Sequence, residues 1–286
     1  MNAERKKIFL TGGSGFIGRN LQEQFGDKYE FFAPSHSELE LTDTKAVKKY
    51  MDERPVDVII HAANIGGDRK TNHLPNIVET NLRIFFNVLL ARKPDVKLIF
   101  CGSGAEYDKS RDIANVDENN FGQNIPKDVY GFYKYICSKI LATLDGVVSF
   151  RIFGLYGPHE DRELRFISVA ILRALKNKPI EIWQNVKFSY AYIEDFIKVL
   201  SFAIENDMKE KFYNIGSGED MDLLSLAEIV KKVTGSKSEI IVKEPEMNKE
   251  YTCNSNLLRK EMGDFSFIDY EEGIKKYFDW LKKYDK

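Results

Sequence analysis

The sequence predicts an α/β fold built around a doubly wound, parallel β-sheet. Two observations support this prediction. Short apolar runs typical of buried strands alternate with helical segments through the first half of the chain, and a glycine-rich turn follows the first apolar run. Strands separated by helices pair in parallel through right-handed crossovers.

The stretch Lys7–Arg19, KIFLTGGSGFIGR, is the centre of this prediction. Ile8 opens a short apolar strand, and three glycines then follow at a spacing of three residues: Gly12, Gly15 and Gly18. Phe16 and Ile17 begin a segment whose apolar residues fall on one helical face. Strand, glycine turn and helix N-terminus together favour the pyrophosphate of a dinucleotide. The alternative is a glycine-rich turn without a ligand.

Composition excludes several classes of protein. The chain has 286 residues, of which 43% are hydrophobic and 30% charged, as in a soluble globular protein. Its formal net charge of -2 gives no reason to expect nucleic acid or an anionic membrane as a partner. Cys101, Cys137 and Cys253 are too widely spaced for a disulfide framework or a zinc site, and we expect a reducing, cytoplasmic location. We expect no metal, no signal peptide and no membrane span.

The predicted elements of the first half alternate as a doubly wound sheet requires. After the first helix, strands and helices are expected at Tyr29–Phe32, from the N-cap Thr42 to about Glu53, and at Val56–His61, Asn76–Ala91, Lys97–Ser103, Val129–Leu144 and Val147–Phe153. The polar loop of about two dozen residues before Val129 is longer than loops without a function usually are.

The alternation changes after Gly157, which indicates a second structural unit. Helices are expected near Leu164–Leu175, Glu194–Glu205, Leu224–Thr234, Asn254–Glu261 and Tyr270–Tyr284, and strands near Ile180–Trp183 and Phe212–Ile215. We predict that residues 1–156 and about 188–215 form a dinucleotide-binding domain. Residues from about 157 to 187 and from 216 to 286 are predicted to form a smaller, C-terminal substrate-binding lobe.

Seven motifs, spread over nearly the whole chain, resemble the extended short-chain dehydrogenase/reductases that act on nucleotide sugars, the NAD-dependent epimerase/dehydratase family. They are TGGSGFIG at Thr11–Gly18, HAA at His61–Ala63, CGSGAEY at Cys101–Tyr107, YGFYK at Tyr130–Lys134, RIFGLYGPH at Arg151–His159, AYIED at Ala191–Asp195 and NIGSGE at Asn214–Glu219. The resemblance implies a Rossmann-type domain, a nicotinamide cofactor, a nucleotide-sugar substrate and a homodimer. Within the family, the chain is similar to GDP-fucose synthases and other reductases of 4-keto-6-deoxy sugars.

Tyr130 and Lys134 are four residues apart on a predicted helix and therefore share one face. A phenol with its ordinary pKa of about 10 is a poor acid or base at neutral pH, and a nearby ammonium favours the phenolate. The resemblance implies that Tyr130 transfers the proton, that Lys134 assists it and holds the nicotinamide ribose, and that Ser103 hydrogen-bonds the reacting oxygen. The alternative for this spacing alone is a solvated helix face.

The choice of cofactor rests on the residues after the second strand. An NAD site usually has an acidic residue roughly 20 residues after the glycines. Ala33, Pro34, Ser35 and His36 stand there instead, and the next carboxylate is Glu38. Arg19 follows the last motif glycine, where the resembling GDP-fucose synthases have an arginine that contacts the extra phosphate of NADP. Arg19, Ser35 and His36 therefore favour NADP (NADPH), with NAD as the alternative if Arg19 is only a solvated charge.

The resemblance implies further cofactor-binding positions. Asp43 matches a family position that bonds adenine, and Asn81 matches one near the cofactor. The complete predicted set is Gly12, Gly15, Phe16, Ile17, Gly18, Arg19, Ser35, His36, Asp43, Ala62, Ala63, Asn81, Tyr130 and Lys134.

The chain departs from the related 4,6-dehydratases and GDP-fucose synthases at the positions that move protons. Dehydratases have an acidic pair where Gly104 and Ala105 stand, and Glu106 is out of register with it. GDP-fucose synthases carry a proton-shuttling Cys at the place of Ala105 and a His that aligns best with Arg165. His159 is expected to be structural.

The predicted substrate-binding residues are Ser103, Gly104, Tyr130 and Arg165. An arginine fork suits a diphosphate, so Arg165 is the candidate for that contact, with an exposed charge as the alternative. Tyr190 and Phe188 stand where relatives place an arginine for the same task, and Gly154 replaces the Asn of many relatives. Trp183 is expected in the core, with stacking on a nucleotide base as the alternative.

Together the residues and the resemblance predict an NADPH-dependent ketoreductase of a nucleotide-linked 4-keto-6-deoxy sugar, of the kind used to make sugars for bacterial surface polysaccharides. One alternative is a 4-epimerase that retains NAD. A second is a protein that senses NADPH without catalysis, although such a protein has no need of Ser103, Tyr130 and Lys134 together.

Overall fold

The computed structural model describes residues 5–67, 70–71, 73–263 and 265–284. Within these residues the strands are β1 Lys7–Thr11, β2 Glu30–Phe32, β3 Val58–His61, β4 Lys97–Ser103, β5 Ile113–Val116, β6 Val147–Ile152, β7 Leu155–Tyr156, β8 Ile180–Gln184, β9 Lys187–Phe188, β10 Ala191–Tyr192, β11 Phe212–Ile215, β12 Met221–Asp222, β13 Ile240–Glu244 and β14 Tyr251–Cys253.

The helices fill the intervals between the strands. They are α1 Phe16–Phe25, α2 Thr44–Asp52, α3 Ile77–Ala91, α4 Val129–Leu141, α5 Phe166–Leu175, α6 Ile193–Glu205, α7 Leu223–Thr234, α8 Asn256–Glu261 and α9 Tyr270–Tyr284. Short 3-10 turns occupy Gly104–Tyr107 and Glu118–Asn120 in the long polar loop.

The central sheet has six parallel strands in the order β11-β6-β4-β3-β1-β2. Helices α1 and α6 pack together, and α3 packs against both α2 and α4. Each of these two helix groups belongs to its own apolar core, one with Ile8 and Phe196, the other with Phe9 and Phe85. Because successive residues of β1 supply the two cores, helices cover both faces of the sheet. The predicted doubly wound α/β fold is confirmed.

The remaining strands form smaller sheets beside the central one. β12, β9, β14 and β5 pair in that order, β13 pairs with β8, and β10 pairs with β7. The sheet of β5 joins the long polar loop to strands from the last third of the chain. None of these short strands except β8 was predicted, because each depends on a partner far away in sequence. The division of the chain into two domains stays a prediction.

Two of the helix starts that differ from the prediction do so for the same kind of reason. Asp43, not Thr42, caps α2: its carboxylate accepts hydrogen bonds from the amides of Lys45 and Ala46 at 2.9 and 3.1 Å. Helix α5 begins at Phe166 rather than Leu164, because the Asp161 carboxylate accepts the amides of residues 163 and 164 and closes a turn there. In both places a side-chain carboxylate competes for backbone donors.

All three cysteines are buried and free of disulfides. No helix in the described ranges is long and apolar enough to cross a membrane.

Candidate active site

The glycine turn packs tightly against the HAA segment after β3. Gly12 has a φ of +75°, and a Cβ at this position would lie 2.8 Å from the amide nitrogen of Ala63. A Cβ at Gly18 would meet the carbonyl oxygen of Gly12. Thr11 Oγ1 in turn accepts the Ala63 amide at 3.2 Å. The glycines are thus required by close backbone approach, which is the geometry a pyrophosphate-binding turn needs.

Helix α1 starts directly after this turn and leaves an anion-binding end open to solvent. Gly15 is its N-cap and makes no side-chain cap, so the amides of the first turn have no partner within the helix. Phe16, Ile17 and Gly18 supply these amides. Arg19 extends from the same turn with an exposed side chain that forms no ion pair among the described residues. The donor set fits a phosphate group.

In the loop after β2, the carboxylate of Glu38 folds back on Ser35. The amide and hydroxyl of Ser35 both donate to Glu38, at 2.7 and 2.8 Å, and these bonds hold the pKa of Glu38 below its ordinary value. His36 Nε2 lies 3.3 Å from the Glu40 carboxylate. Ser35 and His36 therefore each face a carboxylate, and their contact with a cofactor stays a prediction. A residue three positions further along the chain folds back, which the spacing rule for acidic residues cannot detect.

Lys134 and His61 lie buried between the glycine turn and the end of β4. Lys134 is 2% exposed, and its Nζ donates to the carbonyl of Cys101 at 2.5 Å. His61 Nδ1 pairs with Thr11 Oγ1 at 2.7 Å. Burial, helped by the Lys134 charge, lowers the pKa of His61 to about 3, so His61 is neutral at working pH. An ammonium has three donors, and Cys101 is the partner of one, so Lys134 has donors left for ribose hydroxyls.

Tyr130 lies on the same face of α4, one turn before Lys134. The centroid of the Tyr130 ring lies 5.9 Å from Lys134 Nζ and 5.7 Å from Lys109 Nζ. Gly67 covers the ring, because a Cβ there would lie 2.7 Å from it. A Cβ at Gly131 would lie 2.5 Å from the Ala105 carbonyl oxygen, so α4 packs directly on the turn that follows Ser103. The fold therefore brings the predicted catalytic residues to one edge of the sheet.

Glu106 holds Ser103 in place and is itself withdrawn from the site. Its carboxylate accepts the Ser103 amide at 2.9 Å, the Ser138 hydroxyl at 2.7 Å and Arg151 Nε at 2.9 Å. Glu106 and Arg151 are 0% and 1% exposed. Arg151 also donates to the Tyr107 hydroxyl at 3.2 Å. A buried carboxylate with three donors is a structural group, so Glu106 is withdrawn from acid or base chemistry on a substrate.

Asn81 and Asp43, the two remaining predicted cofactor positions, serve the backbone in this structure. Asn81 accepts the Ile65 amide and donates to the Ile65 carbonyl, both at 2.8 Å, which ties the loop after the HAA segment to α3. Asp43 caps α2 as described above. Direct contacts of Asn81, Asp43, Ala62 and Ala63 with a cofactor stay predictions.

On the substrate side, Arg165 extends from the N-cap of α5 near Glu160 and Tyr190. Burial raises the pKa of both groups, and the positive charge of Arg165 lowers it. The effect of burial is the larger one and raises the pKa of Glu160 to about 8. Ser168 donates to the Glu160 carboxyl. At neutral pH Glu160 is therefore mainly uncharged and does not neutralise Arg165. Tyr190 fills the space beside Gly154, where a Cβ would lie 2.6 Å from its ring, so the missing Asn side chain is replaced by this ring.

The structure agrees with the expectation for His159 but not with that for Trp183. His159 Nε2 lies 2.8 Å from Glu23 on α1, and its ring packs at 5.1 Å on Trp280, which agrees with the structural role expected for it. The expectation of a core position for Trp183 is wrong, because Trp183 is 69% exposed. Trp183 alternates with the buried Ile180 and Ile182 along β8 and so projects from the outer face of that strand.

Sheet topology, glycine turn and the Ser103, Tyr130 and Lys134 group define a short-chain dehydrogenase/reductase type of enzyme that uses a nicotinamide dinucleotide. The model of the NAD dependent epimerase/dehydratase family matches residues 8–216, and the chain belongs to this family. It is an NAD(P)-dependent enzyme.

Similar proteins share nearly the full length of the chain. GDP-L-colitose synthase of Yersinia pseudotuberculosis is 24% identical over 94% of this chain and 96% of its own. A putative UDP-glucose 4-epimerase of Methanocaldococcus jannaschii is 27% identical over 96% and 98%. Among solved structures, a GDP-mannoheptose C4 reductase from Campylobacter jejuni with NADP bound has a TM-score of 0.83 at 20% identity, covering 97% of this chain and 98% of its own.

The raised pKa of Glu160 predicts a pH-dependent stability. The carboxyl binds its proton more tightly in the folded protein, with a pKa of about 8, than in the unfolded chain, where it is near 4.5. Stability therefore falls as the pH rises through this window, by up to about 1.4 kcal/mol per pH unit. Glu160→Gln should remove this part of the slope in urea unfolding between pH 5 and 9. Glu181→Gln, at an exposed position, is the control, and parallel curves for wild type and Glu160→Gln would contradict the assignment.

Proposed function

We propose that the chain is an NADPH-dependent ketoreductase that acts on a nucleotide-linked 4-keto-6-deoxy sugar. The observation that carries the proposal is the arrangement around Ser103. The end of β4 meets Tyr130 and Lys134 on α4, whereas Gly104 and Ala105 have no proton to exchange and Glu106 is locked by Arg151. Groups for reduction are present, and the family positions for elimination or carbon epimerisation are chemically silent.

The residues have separate tasks in this proposal. The glycine turn and the start of α1 bind the pyrophosphate, and Lys134 binds the nicotinamide ribose. When bound, NADPH supplies a hydride to the carbonyl carbon. Tyr130 donates a proton to the carbonyl oxygen, and Ser103 hydrogen-bonds the same oxygen. Lys134 stabilises the phenolate that Tyr130 leaves behind.

The substrate lobe supports a nucleotide sugar. Arg165 is exposed, and its neighbour Glu160 is uncharged at neutral pH, so Arg165 is available to a diphosphate. The exposed indole of Trp183 offers a stacking surface for a base. The names of the similar proteins, GDP-L-colitose synthase and GDP-mannoheptose C4 reductase, place nucleotide-linked sugars among the substrates of relatives.

A 4-epimerase that retains NAD is the second candidate. The contact of Glu38 with Ser35 favours it, because this carboxylate lies on the loop where NAD sites place one. Two similar proteins are named as UDP-glucose 4-epimerases. Cofactor that stays bound through gel filtration, with turnover that consumes no added NADPH, would favour the epimerase. The homodimer also stays a prediction, which light scattering tests.

Tyr130→Phe should fold and bind cofactor but lose turnover, because only the proton-donating hydroxyl is removed. We expect kcat to fall about 10²–10⁴-fold. Tyr133→Phe is the matched control on the same helix: the Tyr133 hydroxyl is buried without a hydrogen-bond partner among the described residues, so its loss should leave kcat and stability near wild type. A Tyr130→Phe enzyme with near-normal kcat would place the proton donor elsewhere.

Arg19→Ala should weaken NADPH binding much more than NADH binding, since only NADPH carries the extra phosphate. Titrations by nucleotide fluorescence give both dissociation constants for each variant. Arg83→Ala, on the exposed face of α3, is the control for a general loss of positive charge. Equal affinity of the wild type for the two cofactors would overturn the NADPH preference and direct attention to Glu38.

Turnover of a 4-keto sugar nucleotide in D₂O should give a product without enzyme-dependent deuterium at C3 or C5. Ala105 cannot exchange a proton, and the guanidinium of Arg165 stays protonated. Mass spectrometry of the product, with a no-enzyme sample to correct for spontaneous exchange, makes the measurement, and one NADPH should be consumed per product. Stoichiometric deuterium on either carbon would show that another residue shuttles protons and that simple reduction is wrong.

A further inference from the structure

Tyr251 reaches the candidate active site from β14, a strand held on both sides. Tyr251 pairs with Ile113 of β5 and with Phe188 of β9. Its carbonyl also accepts the Ser189 amide at 3.2 Å. The backbone of Tyr251 is therefore part of a small sheet, and its side chain has a fixed starting point.

Two aromatic rings direct this side chain. The ring centroid of Phe153 lies 4.8 Å and that of Phe188 5.6 Å from the Tyr251 ring. The hydroxyl ends 2.7 Å from the position that a Cβ of Gly104 would occupy, which places it beside Ser103, the preceding residue of the chain. Gly104 thus leaves the space that the phenol of Tyr251 enters.

The hydrogen bonds of Ser103 show what the neighbouring Tyr251 hydroxyl can do. A serine hydroxyl accepts two hydrogen bonds and donates one. Ser103 Oγ already accepts the Ala105 amide at 3.1 Å. If Tyr251 donates to Oγ, both acceptor sites are filled, and the Ser103 proton is left for an oxygen in the site. Burial raises the pKa of Tyr251 well above its ordinary value and outweighs the opposite effect of Ser103, so the phenol keeps its proton.

We propose that Tyr251 is a positioning residue for the reduction: its hydroxyl donates to Ser103 Oγ and thereby directs the Ser103 proton to the carbonyl oxygen of the substrate. This inference rests on the proposed function. The arrangement also requires Gly104, because a Cβ at this position would lie 2.7 Å from the Tyr251 hydroxyl and 2.8 Å from the ring of Phe153.

The test is a double-mutant cycle with Tyr251→Phe, Ser103→Ala and the double variant. Tyr251→Phe should lower kcat about tenfold, the usual size of one lost hydrogen bond, with KM for the sugar nucleotide nearly unchanged. In the Ser103→Ala background the same change should cost nothing further, because Tyr251 acts through Ser103. Tyr29→Phe is the matched control: its hydroxyl also pairs with a buried serine, Ser201 at 2.8 Å, and its loss should leave kcat unchanged.

Each other outcome contradicts the proposal. Losses that multiply in the double variant would mean that Tyr251 contacts the substrate or supports the fold instead. A change in KM without a change in kcat would overturn the positioning role. A wild type without ketoreduction would overturn the proposed function, and the contact is then judged alone by NMR of ¹³Cζ-labelled tyrosine. The Tyr251 signal should shift in Ser103→Ala and the Tyr29 signal should not; an unshifted Tyr251 signal would rule out the hydrogen bond.

Discussion

The buried ion pair of Glu106 and Arg151 is the interaction on which the geometry of the site depends. It joins the end of β4 to β6, and Ser138 adds α4 to the same carboxylate. The Tyr107 hydroxyl, which receives a bond from Arg151, donates to Asn214 of β11 at 2.8 Å. One carboxylate therefore fixes the residue before the 3-10 turn, the helix that carries Tyr130, and the edge of the sheet. Breaking such a pair from one side typically costs about 3–5 kcal/mol, so the network is as much a requirement for folding as for activity.

Glycines allow other parts of the chain to approach the backbone closely around the candidate site. Gly12 rests on the HAA segment and Gly131 on the turn after Ser103, which brings backbone elements together. Gly154 and Gly104 instead admit the rings of Tyr190 and Tyr251. In two places the chain thus pairs a glycine with the ring of a tyrosine. Such pairs recognise shape and hydroxyl groups more than charge.

The sequence predicted those parts of the fold that depend on local patterns. The strand, turn and helix from Lys7 to Phe25 follow from apolar periodicity and glycine spacing, and β4, β11 and α9 have the predicted bounds. The grouping of Tyr130, Lys134 and Ser103 was implied by the family resemblance, and α4 packs on the turn that follows Ser103. Contacts between distant segments were beyond the pattern. Glu38 folds back on Ser35, and Trp183 faces solvent. Tyr251 reaches the candidate site because β14 pairs with β5 and β9, and the hydrophobic pattern of the sequence does not predict these pairings.

The small sheet of β5, β9, β12 and β14 has a consequence for how the enzyme matures. Its strands lie between residues 113 and 253 and are distant from one another in sequence: the Asn115 amide donates to the Thr252 hydroxyl across 137 residues. The glycine turn needs only neighbouring segments and can form early, whereas this small sheet must wait until β14, Tyr251–Cys253, has been synthesised. Contacts of such long sequence separation form late and slowly. A nascent or truncated chain would therefore hold its dinucleotide site well before it could recognise a sugar.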